Sequence, residues 1–254
     1  MKRKLPNITN KIWSCSAIAL LLILWQVACS LGIVEEFMLP SPISVVQAFV
    51  AEFPVLMEHS MITLAEAFVG LFLGIALGFA FAVLMDQFDS LYKAFYPLIV
   101  LSQTIPTVAI APLLVLWFGY EMAPKVILIM VTTFFPITVG LLNGFKSVDK
   151  DSLSLLRAMG AGRRQIFCHI KFPAALSEFF AGIRIAASYA VVGAVISEWL
   201  GGFRGLGVYM TRVKQAFSFD KMFAVIFLIS IISLLLMKGV DFLQKKCMPW
   251  EKEN

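Results

Sequence analysis

Long apolar runs separated by short polar segments dominate the chain. Residues 12–34 and 67–85 carry no charge, and the first of these runs is 23 residues long. Because a helix needs about 20 apolar residues to cross the hydrocarbon core of a bilayer, each such run predicts a span. The pattern predicts an all-α polytopic membrane protein with six transmembrane helices. The predicted spans are residues 12–34, 63–85, 94–118, 124–145, 174–198 and 222–243.

The charges between the runs predict how the chain is oriented. Residues 1–11 and 146–173 are basic and residues 245–254 contain three lysines, whereas residues 30–61 contain four glutamates and no Lys or Arg. Since basic loops stay in the cytoplasm, both termini and the segment 146–173 are predicted to be cytoplasmic. The chain is therefore divided into a tail (1–11), a transmembrane domain (12–244) and a second tail (245–254).

The composition excludes a soluble domain. Sixty per cent of the residues are hydrophobic and only 15% are charged, and the mean hydropathy is +0.88. The net charge of +5 does not indicate nucleic-acid binding, because the basic residues punctuate apolar runs instead of covering one face. The four cysteines and two histidines form no metal-ligand spacing. We expect a protein of the cell membrane, surrounded by lipid, with no metal and no cofactor.

Catalytic motifs are absent from the sequence. It has no G-x-x-x-x-G-K-[ST] loop for nucleotide phosphates, and no GxSxG or HExxH motif. We therefore expect no catalytic residues. A pump built on this chain would take its ATP hydrolysis from a separate subunit.

The polar segment 151–173 has the pattern of two short amphipathic helices. Apolar residues recur at helical spacing on both sides of Gly160-Ala161-Gly162, where a tight turn is easy without β-carbons. Asp151 or Ser152 is predicted to cap the first helix, and Pro173 to end the second. The pattern alone fits either a partner-docking loop or an amphipathic loop on the membrane surface.

This segment resembles the signature of ABC-transporter permease subunits. That signature reads E-A-A, three residues, G, nine residues, I, any residue, L-P; Gly160, Ile170 and Pro173 match its spacing, while Phe172 and Ser154-Leu155-Leu156 depart from it. The resemblance implies a binding-protein-dependent importer of the type I fold, with a cytoplasmic coupling helix between spans 4 and 5. The ATPase-coupling residues that it implies are Leu156, Arg157, Ala158, Met159, Gly160, Ala161, Ile170 and Pro173.

The resemblance continues over most of the chain and carries expectations about partners. It implies a cytoplasmic ABC ATPase dimer, an extracytoplasmic substrate-binding protein and a second permease copy that forms a homodimer. The subtype is the one associated with nitrate, sulfonate, taurine and thiamine-pyrimidine-precursor uptake. The segments around Ser102–Pro106 and Ser197–Gly202 are most similar to members linked to a hydroxymethylpyrimidine-like precursor of thiamine. Sulfonates are the second choice of substrate.

Polar residues interrupt the third apolar run close to its prolines. Proline frees backbone carbonyl groups, which membranes tolerate where neighbouring helices or a water-lined cavity satisfy them. A broken helix beside a substrate path and a kinked helix bonded to its neighbours both fit. The candidate residues of the path or its gate are Ser102, Gln103, Thr104, Pro106 and Glu198.

Two further patterns bear on topology. Gly70, Gly74 and Gly78 form a small-residue face that predicts close helix packing. The segment after the fifth span departs from the charge rule on the predicted outer side, since it contains Arg204, Arg212, Lys214 and Lys221. An acidic binding protein outside would explain these charges, and so would weak topological pressure on a late loop.

The alternative function is an ATP-independent secondary transporter or channel. Such proteins place ionisable residues within their spans. The apolar runs that define the spans hold almost none, which favours the ABC permease. Arg184 is the doubtful case, and we expect it near the cytoplasmic end of its span, snorkelling or paired.

Overall fold

The computed structural model describes residues 8–32, 35 and 38–250, and every regular element in them is a helix. A π-turn at Phe167–Lys171 joins the helices Arg163–Ile166 and Phe172–Gly201, so that Arg163–Gly201 is one continuous helix of 39 residues. The helices are α1 Ile8–Ser30, α2 Pro42–Ala51, α3 Phe53–Gln87, α4 Asp89–Ser102, α5 Thr107–Phe118, α6 Met122–Lys146, α7 Lys150–Ala158, α8 Arg163–Ile166, α9 Phe172–Gly201, α10 Leu206–Gln215 and α11 Phe219–Cys247.

Four of the described helices are long and apolar enough to cross a membrane: α3, α6, Arg163–Gly201 and α11. The pair α4–α5 makes a fifth if it counts as one span. The predicted span 12–34 overlaps α1, and its membrane crossing stays a prediction, as does the cytoplasmic side of both termini. Residues 1–7 and 251–254 of the predicted tails lie outside the described residues.

The chain divides into two compact units. The first contains the described residues up to Met57 together with Tyr209–Leu228. Within it, Lys221 donates a hydrogen bond to Glu52, and this bond lowers the pKa of the Glu52 carboxyl. One of the unexpected basic residues is therefore neutralised within the chain. The second unit contains Glu58–Val208 and the described residues from Ile229 onward.

In the second unit, α3 packs on α6 through the predicted glycine face. A β-carbon on each of the three glycines would overlap a side chain of α6. The pairs are Gly70 with Ile129, Gly74 with Thr133 and Gly78 with Ile137. The glycines of α3 and their partners on α6 both recur every four residues. Within a membrane the hydrophobic effect does not drive helices together, so association depends on close packing, which small residues allow.

Helices α6 and α9 are in extensive contact in the second unit. Their backbones nearly touch, because a β-carbon on Gly182 would lie 2.6 Å from the carbonyl oxygen of Pro136. Gly144 approaches Ala175 in the same way. This close crossing holds the two helices as one body.

Pro173 does not end a helix, so that prediction is wrong. The N–H of Phe172 bonds to the carbonyl of Phe167, five residues earlier, in the π-turn that precedes α9. Proline lies in the first turn of α9, where its missing N–H is tolerated beside the wider turn. The docking segment therefore continues directly into a membrane helix.

The expectation that the spans hold almost no ionisable residues is also wrong. Glu66, Lys125 and Glu198 are all buried within helices, and Lys125 lies in the first turn of α6. Arg184 is paired, as expected: it donates to Asp241 at 2.6 Å and to Gln244 at 2.8 Å. The absence of intramembrane charge is therefore no argument against a secondary transporter.

Candidate functional site

The docking loop, residues 146–173, begins with a capped helix. The side chain of Asp149 accepts hydrogen bonds from the N–H groups of Asp151 and Ser152 and from the Ser152 hydroxyl. The cap is thus Asp149, and not Asp151 or Ser152 as predicted. The bond from the Ser152 side chain and the two backbone bonds lower the pKa of Asp149 below its usual range. A carboxylate at this position also complements the helix dipole.

Gly160 ends α7 in the left-handed backbone region, with φ of +84°. Its N–H bonds to the carbonyl of Arg157, and the next N–H, of Ala161, bonds to Leu156. The chain restarts as α8 after Gly162, whose N–H bonds to the side chain of Gln165 at 2.8 Å. Only Gly160 requires the freedom of glycine, because Gly162 has an ordinary φ of −73°.

The turn presents an open cavity of about 310 Å³, which Gln165 and His169 help to line. Four of the predicted coupling residues line it: Leu156, Met159, Gly160 and Ala161. Met159 is 74% exposed, and no residue of α7 is buried. A helix with an apolar surface that the chain itself leaves uncovered is suited to binding a partner.

The other predicted coupling residues lie outside that cavity. Ala158 is exposed on α7, whereas Ile170 and Pro173 are half-buried in the continuous helix. Arg157 lines a second cavity, of about 790 Å³, whose polar lining residues are Asp86, Gln87, Arg157, Arg163, Arg164 and Lys171. Lys171 bonds to both oxygens of Asp86, at 2.6 and 2.8 Å. This ion pair ties the base of the docking loop to the end of α3.

The third apolar run is broken at residues 103–106. Helices α4 and α5 are bent by 99° there. The hydroxyl groups of Ser102 and Thr104 donate to the carbonyls of Ile99 and Leu101, in their own chain segment. Local bonds therefore satisfy these two residues.

Gln103 lines a groove of about 360 Å³ against α6 and α9. The polar residues beside it are Asn143, Glu178 and Tyr189, and all four are exposed. The remaining lining residues are Phe135, Pro136, Val139, Gly140, Ala181, Gly182 and Ile185. Sequence reasoning missed these partners, although Asn143 and Glu178 are polar residues in otherwise apolar runs, as Gln103 is.

Glu198 lies elsewhere, in a buried hydrogen-bonded cluster where it is 1% exposed. It accepts a hydrogen bond from the Thr63 hydroxyl at 2.7 Å and from the Gly207 N–H at 2.6 Å. His59 accepts from the N–H of Gly205 at 2.9 Å. We call these three side chains, together with the segment Gly205–Gly207 that they bind, the clasp.

Comparisons with known proteins agree with this architecture. The formylaminopyrimidine transport permease protein ThiX of Halalkalibacterium halodurans is 38% identical over 236 residues, which are 92% of this chain and 94% of that protein. The putative aliphatic sulfonates transport permease protein SsuC of Bacillus subtilis is 29% identical over 234 residues, 91% of this chain and 85% of that protein.

A solved structure shares the fold. The methionine ABC transporter MetNI, in an inward-facing conformation, superimposes with a TM-score of 0.68 at 19% identity, covering 77% of this chain and 97% of that one. Residues 70–249 match the family described as binding-protein-dependent transport system inner membrane component. The chain therefore belongs to that family, and is a multi-pass membrane permease subunit of an ABC importer.

Proposed function

We propose that this chain forms half of the substrate path of a homodimeric ABC importer for a pyrimidine precursor of thiamine. Two cytoplasmic ATPase subunits dock on residues 146–173, and an extracytoplasmic binding protein delivers the substrate. The observation that carries the proposal is the groove between Gln103, α6 and α9.

The groove is suited to line a water-filled substrate path and not to face lipid. Asn143 of α6 and Glu178 of α9 expose an amide and a carboxylate, and Gln103 exposes an amide in the break after α4. Such groups are costly against lipid and are found facing a bundle interior or a water-filled cavity. A second copy of the chain would enclose the groove and leave it as a channel between the two protomers.

The charge of the groove favours the pyrimidine over a sulfonate. Glu178 is the only charged residue among those that line it. A carboxylate accepts hydrogen bonds from an exocyclic amino group and repels an anion. The amides of Gln103 and Asn143 match the donors and acceptors of a pyrimidine ring, and Tyr189 offers an aromatic face. The name of the 38% identical relative supports the same substrate class.

One helix connects the docking loop to this groove. Arg163–Gly201 starts at the docking turn and carries Glu178 and Tyr189 on the groove wall. A rigid helix transmits a displacement of its end along its length, so closure of the ATPases would reorient the groove wall. This is alternating access driven through the docking loop.

ATP-dependent uptake of labelled formylaminopyrimidine tests the proposal. The chain is reconstituted with its ATPase and binding protein, and unlabelled pyrimidine or an aliphatic sulfonate is added as competitor. We expect unlabelled formylaminopyrimidine to compete with uptake of the labelled compound, and the sulfonate not to compete. Competition by the sulfonate alone would contradict the substrate, and uptake without ATP would contradict the importer mechanism.

Gln103→Leu tests the path itself. Loss of one hydrogen bond to a neutral ligand costs about 0.5–1.5 kcal/mol, so we expect KM to rise about two- to tenfold. Thr104→Val is the matched control, because Thr104 is also exposed and bonds only to its own segment. Unchanged kinetics in Gln103→Leu would remove Gln103 from the path.

A further inference from the structure

Four basic residues line the cavity of about 790 Å³ at the base of the docking loop. We call it the basal cavity; besides the six polar residues named above, Ile166 and Phe167 line it. Its volume lies within the range of about 300–1,000 Å³ that small-molecule sites occupy. No residue of the basal cavity lines the cavity at the docking turn, so the two are separate features of the loop.

The charge of the basal cavity is unbalanced. Asp86 is the only acid among the described residues that line it, and it is already paired, since Lys171 donates to both of its oxygens at 2.6 and 2.8 Å. Arg157, Arg163 and Arg164 are exposed, and no described residue forms an ion pair or a side-chain hydrogen bond with any of them. Three guanidinium groups around one cavity repel one another, so the cavity attracts an anion.

Arg163 and Arg164 also lie where a helix opposes positive charge. They occupy the first turn of the continuous helix Arg163–Gly201. The N-terminus of a helix carries the positive end of the dipole, so an anion is stabilising there and a cation is not. An anion between the two guanidinium groups would offset both their mutual repulsion and the unfavourable dipole.

The ends of two spans place the basal cavity at a membrane surface. Both α3 and Arg163–Gly201 are long and apolar enough to cross a membrane. Asp86 is the first charged residue after the charge-free run 67–85, so it marks where α3 leaves the hydrocarbon layer. The ion pair with Lys171 brings the other helix to the same level. A basic pocket between transmembrane helices at this depth is suited to a lipid headgroup.

We propose that the basal cavity binds the headgroup of an anionic phospholipid. The three arginines hold its phosphate, because a guanidinium donates two parallel hydrogen bonds to phosphate oxygens. Ile166 and Phe167 supply apolar surface for the part of the lipid nearest its acyl chains. A free phosphate ion has no apolar part to place there, which favours the lipid. The bound headgroup fixes the base of the docking loop to the bilayer, and this inference depends on neither the transported substrate nor the docking of an ATPase.

Native mass spectrometry of the full chain in detergent tests the proposal, with phosphatidylglycerol as the anionic probe and phosphatidylcholine as the neutral one. We expect phosphatidylglycerol to bind more tightly. Arg163→Gln and Arg164→Gln should each weaken its binding about fivefold, the ratio that corresponds to about 1 kcal/mol for one basic residue near an anionic lipid. Lys150→Gln is the matched control and should bind as the wild type does, because it removes an exposed charge of the same loop outside the cavity.

Four results would overturn the proposal. Equal binding of the two lipids would show that the cavity does not select an anion, and unchanged binding in both arginine variants would place the lipid elsewhere. An equal loss in Lys150→Gln would assign the binding to the charge of the whole loop. Displacement of phosphatidylglycerol by an equal concentration of inorganic phosphate would identify a site for a free ion. Both arginines are exposed, so neither substitution removes a buried contact.

The assembled transporter distinguishes the lipid from the rival occupant, an acidic segment of the ATPase. The chain is placed with its ATPase in nanodiscs of phosphatidylcholine and phosphatidylglycerol. We expect phosphatidylglycerol to stay bound when the ATPase docks, and the arginine variants to retain the ATPase. Loss of the lipid on docking, together with loss of the ATPase from the variants, would assign the cavity to the partner interface and contradict the proposal. A failure of the docking proposal alone would leave lipid binding by the isolated chain unchanged.

Discussion

The two ends of the helix Arg163–Gly201 are built in opposite ways. At the docking end the polar contacts of the turn are local: Asp149 caps residues two and three positions later, and Gln165 accepts from Gly162. The ion pair of Lys171 with Asp86, at the base of the loop, is the exception. At the clasp end the contacts join distant parts of the chain, since Thr63 and Glu198 are 135 positions apart. The docking end is exposed, and the clasp end is buried.

This difference separates two tasks. The clasp satisfies its polar groups within the chain, so it stabilises the fold. The docking turn leaves Met159 and the cavity beside it uncovered, so it is available to a partner. Changes at the docking end should therefore alter transport without altering stability, and changes at the clasp should alter stability first.

The largest effect is expected for Gly160→Glu. A non-glycine residue in the left-handed region is strained by about 1–2 kcal/mol, and the added carboxylate enters the docking cavity. We expect the protein to insert, with a thermal midpoint only a few degrees lower because of this strain, while ATP hydrolysis continues and uptake falls to background. Gly162→Ala is the control, because its φ is ordinary and its β-carbon would meet only Gln165 at 3.7 Å. Normal uptake by Gly160→Glu would contradict the coupling role.

Thr63→Val should have the largest effect on stability. The valine keeps the shape but removes the donor to Glu198 and the acceptor for the N–H of Leu206. Leaving buried groups unsatisfied costs about 1–3 kcal/mol each, so we expect a loss of about 2–4 kcal/mol and a lower apparent midpoint in thermal unfolding. The exposed Thr104→Val should stay at the wild-type midpoint. An unchanged thermal midpoint in Thr63→Val would mean that the clasp does not stabilise the fold.

The smallest effect is expected at Asp149, and it depends on pH. The pKa of Asp149 is lowered in the folded state, so its capping contribution is present above the unfolded value of about 3.9 and is lost as the pH falls through the lower folded value. The amides of Asp151 and Ser152 should lose protection from exchange in that acidic range. Asp149→Ala is the control, and it should lack this step. If the amides lose protection over the same pH range in both chains, the loss is caused by another titrating group.

The sequence predicted the docking end better than the clasp. The docking turn rests on contacts between near neighbours, which a motif and helical spacing can reveal. Two details there were wrong: the cap is Asp149, and Pro173 does not end a helix. A π-turn that lets proline enter a helix leaves no mark in the spacing. The family and the membrane class followed from the apolar runs and the matched residues Gly160, Ile170 and Pro173.

The clasp and the groove could not be predicted, because they depend on which helices pack together. Glu66 and Lys125 are single polar residues in or beside apolar runs, and nothing in their spacing pairs them across 59 positions. Gln103 was singled out by its polarity, but its neighbours Asn143 and Glu178 come from helices whose crossing is set by Gly140 and Gly182.

The most direct test of the account is purification of the tagged chain from its native membrane in mild detergent, with quantitative mass spectrometry of its partners and reconstitution of the product. We predict an ABC ATPase in roughly equal amount and uptake that requires ATP. A chain that purifies alone and transports after reconstitution without ATP would contradict the account, and would identify a carrier of another class.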